Sequence, residues 1–106
     1  MEWIKLFDSP EEARQRVALR TPQLVLLGQR RICLLRLNTG WFAIDDRCSH
    51  NGESLSKGRL NHLNEVVCPW HGYQFQVTTG RECAQRADDL VTYPVREEPH
   101  GVFIGC

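Results

Sequence analysis

Two short clusters, Cys48-Ser49-His50 and Cys68-Pro69-Trp70-His71, constrain this chain more than any other feature. Each pairs one sulfur donor with one nitrogen donor, and seventeen residues, 51 to 67, separate them. A fold that uses all four must bring two loops to one place. Zinc fingers usually take a Cys pair first and a His pair second, with helical spacing between the His. Here each cluster is mixed. Tetrahedral zinc can still be held by two Cys and two His. A Cys48–Cys68 disulfide is another use of the sulfurs, but it gives His50 and His71 no reason for their matched positions.

Thirteen basic residues balance thirteen acidic ones among 106. That length predicts one domain, residues 1–106. No basic run is present, so nucleic acid is not an expected partner. Apolar stretches such as Leu24 to Leu27 are too short to cross a bilayer, which predicts no membrane association. Met1 to Lys5 lacks the basic and apolar regions of a secretory signal. Five cysteines, an odd number, argue against a disulfide framework. The expected location is cytoplasmic, with reduced thiols. Cys33, in Arg31-Ile32-Cys33-Leu34-Leu35, reads as a small core residue. Cys83 is expected to face inward and Cys106 to be exposed. His62 and His100 sit in turn contexts and read as surface residues.

Many short strands with Gly and Pro punctuation predict an all-β, antiparallel sandwich or barrel-like fold. Trp3 to Phe7 reads as the first strand. Ser9-Pro10-Glu11-Glu12 is a helix-start signal, and one short helix is expected from Pro10 to about Arg16. Leu24 to Leu27 and Arg31 to Leu37 read as a hairpin, followed by a strand over Trp41 to Ile44. Arg59 to His62 and Glu65 to Val67 read as short strands joined at Leu63-Asn64. Tyr73 to Val77 leaves the second cluster as a strand. Val91 to Arg96 and Gly101 to Ile104 read as the last hairpin.

Two thiolates and two imidazoles are also the donor set of a Rieske centre, in which His replaces Cys on one iron of a two-iron, two-sulfide core. The chain resembles the small Rieske-type ferredoxins from residue 41 to residue 106. The resemblance is carried by Cys48-Ser49-His50-Asn51-Gly52, Leu55, Gly58, Cys68-Pro69-Trp70-His71-Gly72, Phe75, Thr79-Gly80 and Tyr93-Pro94-Val95. It implies one [2Fe-2S] cluster held by Cys48, His50, Cys68 and His71, in a small cluster-binding lobe of about residues 45–76 set into a larger β base. It further implies buried Cys, His rings near the surface, and reduction of the His-bound iron. Thiolates cancel the charge of the oxidised core and neutral imidazoles add none, so an electron enters more easily than in an all-Cys centre.

The residues around the four ligands set the potential. Gly52 and Gly72 follow the motifs and let backbone N–H groups approach sulfide, or serve as ordinary turn glycines. Trp70, between two ligands, is expected to cover the cluster. High-potential Rieske subunits of quinol-oxidising complexes carry an extra disulfide and donor hydroxyls from a Ser and a Tyr. Glu53 and Trp70 stand in place of that disulfide, and Tyr73 and Phe75 in place of those donors. A low potential follows. The resemblance implies a soluble, non-catalytic electron carrier. It would pass electrons from a flavin-dependent reductase to a separate oxygenase or other oxidoreductase. The alternative is a tightly bound small subunit of an assimilatory nitrite reductase-like complex.

Overall fold

The computed structural model describes residues 1–106. In chain order the elements are β1 (Trp3–Phe7), α1 (Pro10–Arg16), β2 (Gln23–Leu27), β3 (Arg30–Leu37), β4 (Gly40–Asp45), a 3-10 turn (Leu55–Lys57), β5 (Arg59–Leu60), β6 (Glu65–Val67), β7 (Gln74–Gln76), β8 (Thr92–Tyr93), β9 (Val95–Glu98) and β10 (Gly101–Gly105). They form three sheets, ordered β1-β10-β9, β2-β3-β4-β8 and β5-β6-β7, and every strand pairing is antiparallel.

The run Ile32-Cys33-Leu34-Leu35 explains how the sheets stack. Side chains of a strand alternate between faces, so a continuous apolar run needs both faces covered. Ile32 and Leu34 join Val17, Ala43 and Ile104 in a core toward the β1-β10-β9 sheet. Cys33, Leu35 and Leu37 join Ile44, Leu55, Val66, Phe75, Val77 and Leu90 in a second core toward the β5-β6-β7 sheet. The sandwich therefore has a central sheet buried on both sides. Cys48 and Cys68 belong to the second core, each at most 2% exposed.

The expected helix forms as its signal specifies. Ser9 Oγ accepts the Glu12 backbone N–H at 3.1 Å, and Pro10 takes the first helical position. Two strand expectations need correction. The strand expected over Arg59 to His62 stops at Leu60, because Asn61 Oδ1 accepts the N–H groups of Leu63 and Glu65 and curls the chain. The strand expected over Val91 to Arg96 is two strands. Pro94 has no N–H to continue a ladder, and the chain changes sheets there, from β4 to β10.

Cys33 is buried, and burial pushes its thiol far up. Cys83 is exposed, contrary to expectation, because its neighbour Glu82 takes the inward position opposite Phe75. Cys106 is half-buried rather than exposed. Its backbone exchanges two hydrogen bonds of 3.0 Å with Glu2. His62 and His100 are exposed.

Candidate metal centre

Two loops rise from the lobe sheet and the central sheet and end side by side. The first leaves β4. Asp46, fully buried, receives hydrogen bonds from Ser54 Oγ and from the Ser56 N–H at 2.7 Å, and lies 3.5 Å from Arg31. Its carbonyl accepts the Leu55 N–H at 2.6 Å. Inside this frame the Cys48 N–H donates to Glu53 at 2.8 Å, and the Gly52 N–H returns to Cys48 at 2.7 Å. The second loop joins β6 to β7 and is closed by the Cys68 N–H donating to Tyr73 at 2.7 Å. Gly52 and Gly72 have φ of 78° and 70°, a region glycine enters without steric cost. His71 has φ of 75°. For a residue with a Cβ that costs of order 1–3 kcal/mol and is characteristic of functional loops.

The four sequence-derived donors divide by depth. Cys48 and Cys68 form the floor, continuous with the hydrophobic core. His50 and His71 stand exposed above them, ring centres 5.9 Å apart and planes 79° apart. No three or more His, Cys, Asp or Glu side chains converge on a single ion. The arrangement is two pairs, sulfur below and nitrogen above. Burial, together with Cys48 beside it, raises the Cys68 thiol above its ordinary range.

Aromatic rings back both imidazoles. Tyr73 stacks on His50 at 4.0 Å and 8°. Trp70 is 56% exposed and stacks on His71 at 5.2 Å and 17°. Phe75 is fully buried in the same core as both cysteines and brings no hydroxyl. The Asn51 amide lies 3.9 Å from Cys68 Sγ and also donates to the Trp70 carbonyl at 3.3 Å.

Sequence reasoning missed three supports. Nothing in the sequence marks Asp46, yet it organises the first loop. Ser49 Oγ donates to the Asp88 carbonyl at 2.6 Å, tying that loop to residues 81–90. Glu82 is fully buried and receives Arg86 Nη2 at 2.9 Å, Arg86 Nε at 3.1 Å and the Arg86 N–H at 2.8 Å. An acid four residues before an Arg was the available signal. Arg86 holds the Glu82 carboxyl down at about 2. A depressed carboxyl stabilises the fold above its ordinary value of 4.5 and loses that contribution as pH falls toward 2. Acid unfolding followed by circular dichroism should therefore begin in this window, and Glu82→Gln should flatten that part of the curve. An equally steep profile in the variant would show that Glu82 does not contribute.

Residues 8–94 match the family model described as the Rieske [2Fe-2S] domain. The 3-phenylpropionate/cinnamic acid dioxygenase ferredoxin subunit of Escherichia coli (strain K12) is 40% identical over 74 residues, 69% of this chain and 70% of that protein. Among solved structures, a complex of reduced oxygenase and oxidized ferredoxin in carbazole 1,9a-dioxygenase contains a similar chain. It has a TM-score of 0.80 at 25% identity, over 97% of this chain and 92% of that one. A protein provisionally assigned as the small subunit of an NADPH nitrite reductase shares the fold over the full length of both chains, with a TM-score of 0.82 at 18% identity. The buried sulfur pair and exposed nitrogen pair suit the two-iron core that such a family match requires. The chain belongs to the Rieske [2Fe-2S] family, and its cofactor is one [2Fe-2S] cluster of the Rieske type.

Proposed function

We propose that the protein is a non-catalytic one-electron carrier of an oxygenase system. The lobe of about residues 45–76 carries the cluster, with Cys48 and Cys68 holding one iron and His50 and His71 the other. When bound, the cluster supplies a single one-electron couple. The chain's own residues do the rest. The thiolates cancel the charge of the oxidised core, the hydrophobic floor excludes water from the sulfurs, and the imidazoles reach the surface where a partner can approach. The observation that carries this reading is that split of burial between sulfur and nitrogen donors. The donor would be a flavin-dependent reductase and the acceptor an oxygenase or other oxidoreductase. Likeness to a dioxygenase ferredoxin subunit supports the acceptor. An odd number of cysteines suits the reducing cytoplasm. No helix is long and apolar enough to cross a membrane.

A second reading is a permanent small subunit of a nitrite reductase-like complex. The full-length fold match favours it, but at 18% identity that likeness concerns the fold. Gel filtration with each partner separates the two: a shuttle elutes alone, whereas a subunit stays bound. The potential is the direct test of the carrier role. Phe75 and the stacked Tyr73 ring place no side-chain hydroxyl in hydrogen-bond contact with either cysteine, and the Asn51 amide at 3.9 Å from Cys68 Sγ is the one side-chain donor there, so the sulfurs keep more charge than two hydroxyl donors would leave. The midpoint is expected toward the negative end of the roughly −150 to +300 mV Rieske range. A value above about +150 mV by protein-film voltammetry would instead indicate a partner from a quinol-oxidising chain.

A further inference from the structure

Beside the candidate centre lies a column that the ligand set does not account for. Tyr73 stacks on His50 at 4.0 Å with planes 8° apart. The Arg86 guanidinium carbon lies 3.9 Å from the centre of the same Tyr73 ring. One face of a phenol ring has room for only one group at that distance, so His50 and Arg86 take opposite faces. Glu82, fully buried, fixes Arg86 through both of its oxygens, at 2.9 and 3.1 Å. The N–H groups of Ala84 and Arg86 fix Glu82 in turn, at 3.3 and 2.8 Å. Glu82 itself is held in the lobe by its bridge to Phe75.

We propose that Glu82, Arg86 and Tyr73 are positioning residues for His50: the ion pair locks the Tyr73 ring, the ring sets the imidazole plane, and the two fixed charges bias the electron's entry beside His50. This rests on His50 being a ligand, as proposed above. Three rigid groups in contact leave an otherwise exposed imidazole one orientation. The paired charges cancel in large part in the native protein. Removing either one leaves the other uncompensated close to the reduction site, with opposite consequences. An unpaired cation favours the added electron, and an unpaired carboxylate opposes it.

The test uses the cluster-loaded protein at pH 8, and the backbone N–H groups of residues 84 and 86 still hold the Glu82 carboxylate when the guanidinium is removed. Glu82→Gln should raise the midpoint and Arg86→Gln should lower it. Each shift should be about three- to tenfold in the reduction equilibrium constant, or roughly 30–60 mV at 59 mV per tenfold. Both substitutions break the same ion pair and loosen the hold on Tyr73, Arg86→Gln more than Glu82→Gln, so a merely structural role would move the potential the same way in both. Tyr73→Phe keeps the ring and should preserve the imidazole nitrogen couplings in pulsed electron paramagnetic resonance. Tyr73→Leu should alter them. Two shifts of the same sign, no shifts, or unchanged couplings in Tyr73→Leu would overturn the proposal. A His50→Ala variant separates the two levels. If it keeps the native spectrum, the ligand assignment and the column fail together. If it loses that spectrum while the two charge variants fail to diverge, the column alone fails.

Discussion

Replacing Cys48 or Cys68 by Ser is expected to yield a protein with almost no bound iron or sulfide. Each thiol is at most 2% exposed and sits at the top of the core shared by Leu55, Val66 and Phe75. A neutral hydroxyl there neither offsets the charge of the metal core nor gains from burial, and an unmatched buried hydroxyl costs about 1–3 kcal/mol. Loss of the metal bridge between the two loops adds to that, since metal binding in such sites is folding free energy. The bleached visible spectrum and a lower melting temperature are the readouts. The His positions should behave differently. His50→Cys or His71→Cys supplies a thiolate at the exposed tip and should retain some cluster at a much lower potential. A Cys48→Ser protein that kept its iron and its spectrum would remove Cys48 from the ligand set.

Gly58→Ala is expected to be nearly as damaging, for a reason that has nothing to do with metal chemistry. Gly58 closes the 3-10 turn with an ordinary φ of −87°, so backbone preference does not demand glycine. Space does. A Cβ at Gly58 would collide with the Val67 carbonyl oxygen and press within 3.2 Å of the Leu55 carbonyl oxygen. Both obstacles are backbone, and neither can rotate away. Val67 precedes Cys68, and β5 pairs with β6 there, so relief of the clash must displace the strand that delivers a sulfur. Overpacking of this kind costs about 1–3 kcal/mol and often more. For a chain of this size 3 kcal/mol corresponds to roughly 12–24 °C in melting temperature. Thermal denaturation measures it directly, and the iron content of the purified variant shows whether the strand shift reaches Cys68. A melting temperature within a few degrees of the parent would mean that the lobe yields more easily than its packing implies.

The candidate site was legible because the chemistry proposed for it is local in sequence. Four candidate donors in two short clusters stand out by residue type and spacing, and the glycines beside them mark the turns. The strands were legible where apolar alternation or a continuous apolar run is strong, as in Trp3–Phe7 and Arg30–Leu37. What stayed hidden depends on distant partners. Nothing in the sequence marks Glu82 as buried; only the strand pairing sets it opposite Phe75. Asp46 reads as a loop residue until the Ser54 hydroxyl and the Ser56 N–H close on it. The sheet change at Pro94 requires knowing that β4 and β10 lie on either side of it. Cys83 is exposed because its neighbour Glu82, not Cys83 itself, carries the inward contact. In each case the deciding interaction is a side chain folding back on backbone, or a pairing across sequence, and neither leaves a periodic trace.

The position of β10 in the middle of its sheet bears on how the molecule is made. β1 and β9 both depend on it, yet it leaves the ribosome after every other strand. At 5–20 residues per second, β1 waits roughly 5–20 s for its partner. The three strands of the lobe, by contrast, lie between Arg59 and Gln76 and have one another as their only strand partners, with a single bridge from Phe75 to Glu82 beyond them. All four candidate donors are thus synthesised, and the lobe sheet can close, while Ile104 is still missing from the core of Val17, Ile32, Leu34 and Ala43. The nascent chain offers its thiols to the cell before its base is complete. Closure of the base is the last event, and until Ile104 arrives Ile32 and Leu34 remain open to the wrong company.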